Sequence, residues 1–170
     1  MSNNEIFPLV DEEGNVTGKA TRLECHNGSM LLHPVVHLHV VNENGELYLQ
    51  KRSIDKDIQP GRWDTSVGGH VDYGETIEDA LKREAYGELG LKTVNPVFLF
   101  RYVFQSDVEK ELVNTFLFKC EGRPVFKYDP VEIDDGRFWA QEDICRNIGK
   151  GVFTPNFEQE FIKLRGFLID

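Results

Sequence analysis

Two glutamates, Glu84 and Glu88, lie four residues apart near the end of the stretch GGHVDYGETIEDALKREAYGELGL, residues 68–91. On a helix that spacing stacks both carboxylates on one face. Like charges so placed repel by roughly a few tenths of a kcal/mol unless a cation lies between them. A hard divalent ion with oxygen ligands, Mg²⁺ or Mn²⁺, is the natural candidate. Gly69 has no side chain to keep its backbone carbonyl away from such an ion. Glu75 and Arg83 bracket the helix and can pair to fix the preceding loop against it. Taken alone, the two glutamates also suit a solvated acidic face, so their surroundings decide. Five histidines, His26, His33, His37, His39 and His70, all fall in the first half of the chain. His37 and His39 alternate on one face of a strand, and the ordinary reading of His39 is a satisfied core or surface residue.

These groups need a scaffold, and the local patterns supply one. Residues 6–10 and 16–22 flank a Gly-Asn turn signal and read as a hairpin. Residues 35–42 and 46–52 form a second hairpin around Glu43-Asn44-Gly45. Residues 63–67 read as a short strand entering Gly68-Gly69. Residues 76–89 read as a helix, with Thr76 as N-cap, acidic residues in the first turn and Gly90 as its stop. Strands are expected at 97–104, 112–120 and 137–140, a short helix at 141–147 and an amphipathic helix at 156–167. Strands mixed with a few helices predict an α/β (α+β) fold with a central mixed sheet covered by helices.

The order Gly69, five residues, Glu75, seven residues, Arg83-Glu84-Ala85, then Glu88-Leu89-Gly90-Leu91 resembles the box of the Nudix hydrolase superfamily. The resemblance implies the Nudix fold, a central mixed β-sheet sandwiched between α-helices, and a metal-dependent site at Glu84, Glu88 and the Gly69 carbonyl. It makes Glu75, Arg83 and Gly90 the structural residues of the box. The box normally carries a glutamate pair where this chain has Gly87 and Glu88. A mid-helix Gly costs about 1 kcal/mol relative to Ala, so Gly87 is not there to stabilise the helix.

From about residue 26 to 118 the chain also resembles type I isopentenyl-diphosphate isomerase, a Nudix-fold enzyme. That likeness implies a second metal site at His26, His33, His70, Glu109 and Glu111, a donor set suited to Zn²⁺ or Mn²⁺. It also implies a diphosphate grip at Arg52 and Lys56. The isomerases carry a catalytic cysteine at the position of Gly68, opposite a glutamate matched by Glu111. Allylic isomerisation adds a proton on one face and removes one from the other, and Gly68 offers neither acid nor base.

Three readings follow, in this order. The first is a pyrophosphohydrolase, an acid-anhydride hydrolase cleaving a small diphosphate of the nucleoside diphosphate–X type. Its catalytic groups are Glu84, Glu88 and Glu111. The second is a non-catalytic diphosphate- or nucleotide-binding domain disabled at Gly87. The third is an isomerase-like enzyme, opposed by Gly68. Tyr73, Phe104 and Phe153 are aromatic residues that can either stack on a base or belong to the core.

The 170 residues read as a single domain, 1–170, with residues 6–22 as an extension. The hairpin is open to two roles, a homodimer contact or a lid. A net charge of −10 argues against a nucleic-acid polymer or an anionic membrane as partner, but not against a small anion met by local cations. Three scattered cysteines without a CxxC pair, and a start without a basic-then-apolar run, lead to an expected cytoplasmic address.

Overall fold

The computed structural model describes residues 3–92 and 95–168. Its strands are β1 (Ile6–Val10), β2 (Val16–Thr21), β3 (Leu32–Val41), β4 (Leu47–Arg52), β5 (Trp63–Asp64), β6 (Val67–His70), β7 (Val97–Gln105), β8 (Lys110–Lys119) and β9 (Ile133–Trp139). The helices are α1 (Arg22–Cys25), α2 (Ile77–Leu89), α3 (Gln141–Asn147) and α4 (Pro155–Leu164), followed by a 3₁₀ turn at Arg165–Phe167. β1 and β2 pair with each other as a separate two-stranded sheet. The main sheet is seven-stranded, with the path β5-β4-β3-β8-β7, β6 beside β3 and β9 beside β4. It is mixed because β3 and β8 run parallel while the other pairs are antiparallel.

Strand alternation assigns the two faces different jobs. Val36, Leu38 and Val40 of β3 join Ala80, Leu81, Ala85 and Leu89 of α2 in one buried cluster. On the other side Leu47, Leu49, Trp63 and Leu117 pack with Ile144 of α3 and Phe157, Phe161 and Leu164 of α4. The sheet is therefore sandwiched between helices. The β3 residues of opposite parity to the α2-facing set are His33, Val35, His37 and His39, so this strand carries an apolar row on one face and a histidine row on the other.

Helix α2 is bounded as its residues dictate. Thr76 accepts from the Asp79 amide at 3.1 Å, and Gly90 adopts a left-handed conformation at φ 69° while donating to the Tyr86 carbonyl.

Four sequence expectations need correction. Residues 63–67 are not one strand. Ser66 Oγ accepts from the Val40 amide and donates to the Tyr48 carbonyl, so a side chain stands in for the ladder while the chain changes partner from β4 to β3. The last strand begins at Ile133 rather than 137, because Asp134-Asp135-Gly136 extends along β4 despite its turn-like composition. The hairpin strand ends at Thr21, where a capping box with Glu24 opens α1. The C-terminal helix stops at Leu164 and tightens into the 3₁₀ turn. Among the described residues no helix is long and apolar enough to cross a membrane.

Candidate active site and metal centre

Helix α2 brings Glu84 and Glu88 beside the strand that carries Gly69. A Cβ built on Gly69 would lie 2.6 Å from Glu84 Cγ, far inside contact distance, so only glycine lets this carboxylate lie flat against β6. Arg83 Nη1 reaches Glu84 at 2.6 Å. Glu88 accepts from Gln50 Nε2 at 2.7 Å, and Gln50 also donates to the Ser66 carbonyl at 3.0 Å. Burial, and then the hydrogen bond with Glu84, push the Glu88 carboxyl well above the ordinary carboxylate range, against the opposing Gln50 and Gly68 N–H donors. Two carboxyls in hydrogen-bond contact are a site where a cation can take the place between them. Gly69→Ala should drive Glu84 off β6 and weaken Mg²⁺ binding at least about tenfold, read by calorimetry.

Glu75 and Arg83 form the expected bracket as a two-pronged pair at 2.9 Å on both prongs, and Arg83 also donates to the His70 carbonyl at 3.0 Å. Arg83 thus ties the box loop to the helix, and its contact holds Glu75 below the usual carboxylate range.

The second cluster lies at the edge of the histidine face. His26, His33, His70 and Glu109 each offer a ligand atom, and these atoms all lie within 4.8 Å of one another. Nε2 of all three histidines is buried without a hydrogen-bond partner, although His26 Nε2 lies 2.9 Å from Glu109 Oε2 as an ion-pair contact. His33 Nδ1 lies 2.9 Å from the Leu31 carbonyl, so Nδ1 carries the proton and Nε2 turns a lone pair into the cluster. Burial holds His70 well below its ordinary value and His33 below it, which keeps both imidazoles neutral, as metal ligation requires. Imidazole nitrogens converging beside a carboxylate fit a transition metal.

Glu111 does not join this compact group. It sits 3.8 Å from His70 Nε2, and burial, then the Glu109 charge, raise it to about 8. Arg52 and Lys56 have internal partners. Arg52 Nε donates to the Ile58 carbonyl at 3.0 Å and its Nη1 lies 3.8 Å from Asp64, while Lys56 pairs with Glu132.

Several residues of this region carry no sequence signal of their own. Phe7 of the hairpin is fully buried and stacks on His70 with ring centres 4.6 Å apart and planes 3° apart, which makes it a cover for the histidine cluster. Glu160 of α4 is fully buried between His37 and His39. The Glu160 charge raises His37 to about 9 against the effect of burial. Phe153 is core, packed edge-on against Trp139, and not free to stack on a ligand. Tyr73 is half-exposed, with Lys19 over its ring.

Fold and site together define a scaffold with one acidic helix and one histidine cluster beside a mixed sheet. Residues 31–157 match the family model described as NUDIX domain, and the chain belongs to the Nudix family. Its relatives include isopentenyl-diphosphate Δ-isomerases. One from Brevibacterium linens is 40% identical over 98% of this chain and 94% of its own length. A relative from a Nostoc species, described as an uncharacterized Nudix hydrolase, is 44% identical over 54% of either chain. Among solved structures, a Deinococcus radiodurans protein superposes with a TM-score of 0.78 at 25% identity, covering 94% of this chain and 98% of that one.

Proposed function

We propose that the protein is a metal-dependent Nudix hydrolase that cleaves the diphosphate linkage of a small molecule of the nucleoside diphosphate–X type. The observation that carries the reading is the apposition of Glu84 against Gly69, whose missing side chain makes room for its carboxylate, with Glu88 hydrogen-bonded beside it. Mg²⁺ or Mn²⁺ bound there would supply charge neutralisation at the phosphoryl group and a water of lowered pKa. Glu84, Glu88 and the Gly69 carbonyl are the groups that would hold the ion. Glu84 or Glu111 takes the proton from the attacking water. Arg52 and Lys56 exchange their internal carbonyl and carboxylate partners for non-reacting phosphate oxygens. His26, His33, His70 and Glu109 would hold a transition ion, and Phe7 stacked on His70 would couple the hairpin to it. The ADP-ribose complex of the NUDIX domain of Shewanella oneidensis NrtR, at TM-score 0.65 and 14% identity, shares the fold.

A second reading, a diphosphate-binding domain without turnover, is favoured by Gly87, where the box carries a carboxylate. A Cβ at Gly87 meets nothing within 4 Å, so the backbone there has open space for a side chain to start. The test is phosphate release from nucleoside di- and triphosphates, nucleotide sugars and isopentenyl diphosphate with Mg²⁺ or Mn²⁺, the last assayed also for its allylic isomer. Hydrolysis of one class is the expected result. Gly87→Glu should raise that turnover about tenfold or more by adding a ligand. Turnover by Gly87→Glu alone would make the native chain a binding domain, and an allylic product would assign it to isomerisation.

A further inference from the structure

His37 shares the histidine face of β3 but belongs to neither metal cluster. Its Nδ1 lies 2.8 Å from Glu160 Oε1. Glu160 is fully buried and also accepts from His39 Nε2 and, at 2.5 Å, from the Tyr102 hydroxyl. Glu160 thereby fixes the His37 ring and directs its other nitrogen away from α4. Two neighbouring histidines on one carboxylate could form a purely structural knot, but they are not equivalent. The His39 side chain is 0% exposed, whereas that of His37 keeps 12%. No hydrogen bond engages His37 Nε2 among the described residues.

That nitrogen faces Gly68, the residue paired with His37 across β3 and β6. A Cβ on Gly68 would lie 3.4 Å from His37 Cδ2 and 3.7 Å from Nε2, and would meet no other residue within 4 Å. Any larger side chain at this position would cover the imidazole edge, and glycine leaves it open. Gly68 also donates its amide to Glu88 on the α2 side and precedes Gly69. The open edge of His37 therefore borders the strand segment where the diphosphate is expected. Asp64, the neighbour of Arg52, and Glu111 are the other charges that His37 feels.

We propose that His37 is a substrate-contacting residue whose Nε2–H donates to an anionic phosphoryl oxygen of the diphosphate, through the opening that Gly68 leaves. The inference rests on the hydrolase reading. Glu160, which never touches substrate, is a positioning residue that sets the ring. Asn at position 37 keeps the Nδ1-side donor to Glu160 but loses the Nε2 donor, whereas Gln keeps a donor near Nε2 and gives up Glu160.

The test is a nitrogen-15 imidazole spectrum of the wild-type protein titrated with methylenediphosphonate and Mg²⁺, alongside calorimetry of the same mixture. The His37 Nε2 resonance should move while that of His39 stays. His37→Asn should fold, at a lowered melting temperature for the charge lost beside Glu160, and lose about 100-fold in kcat/KM, with His37→Gln losing less. Heat of binding with a stationary His37 resonance overturns the His37 assignment alone. Absence of heat overturns the diphosphate reading and this inference with it.

Discussion

Replacing Glu88 with Gln should cut Mg²⁺-dependent turnover by at least about 100-fold, since even groups that merely orient metal ligands are worth about 10–100-fold. The metal-free variant should stay folded. Burial and its hydrogen bond with Glu84 favour the protonated form of Glu88 there. A Gln is close to that protonated form in shape and can still meet Gln50 and the Gly68 amide. The pH dependence follows from the sign of the shift. An unfolded Glu titrates near about 4.3, while in the fold Glu88 holds its proton to a pH well above the ordinary range. The unfolded chain therefore binds fewer protons in the window above about 4.3, and stability falls as pH rises through it. Gln carries no such proton. In EDTA, wild type should lose more melting temperature than Glu88→Gln between pH 5 and pH 8. Equal losses, or unchanged turnover with Mg²⁺, would remove Glu88 from the role given to it.

The second large effect is expected at the histidine cluster. Protein purified without added metal should carry about one equivalent of a transition ion, and His33→Ala should lose it, because the variant deletes one of four converging ligands. A ligand present at a thousand times its Kd stabilises the fold by about 4 kcal/mol. For a chain of this size that corresponds to roughly 8–16 °C in melting temperature. Chelation of the wild type should therefore produce a drop of that order, and His33→Ala should show little further change on chelation. Phe7 stacks on His70 and lies 5.8 Å from the His33 ring centre, so the hairpin should become protease-sensitive when the ion leaves. A wild type that carries no metal and gains no stability from Zn²⁺ or Mn²⁺ would make the cluster a plain packing arrangement.

The box was legible because its chemistry is local. Glu84 and Glu88 are one helical turn apart, Thr76 and Gly90 mark the helix ends, and Glu75 and Arg83 meet across one loop. Glu160 was not legible. In α4 it reads as one polar position of an amphipathic helix, and its partners His37 and His39 are more than a hundred residues earlier. Only the packing of α4 over the histidine face of β3 brings them together. Phe7 gave no signal either, since an apolar residue in a hairpin strand looks the same whether it covers a metal cluster or a core. The break between β5 and β6 was hidden because Ser66 hydrogen-bonds sideways to β3 and β4, a contact that needs both strands in place.

Water directed at a diphosphate by the Glu84–Glu88–Gly69 site leaves its oxygen in a product. The most direct measurement is phosphorus-31 NMR of the best diphosphate substrate incubated with wild-type protein and Mg²⁺ in ¹⁸O-labelled water. The expected result is a monophosphate signal carrying the isotope shift of one incorporated oxygen, absent in EDTA. A diphosphate spectrum that stays unchanged with folded, metal-loaded protein would contradict it.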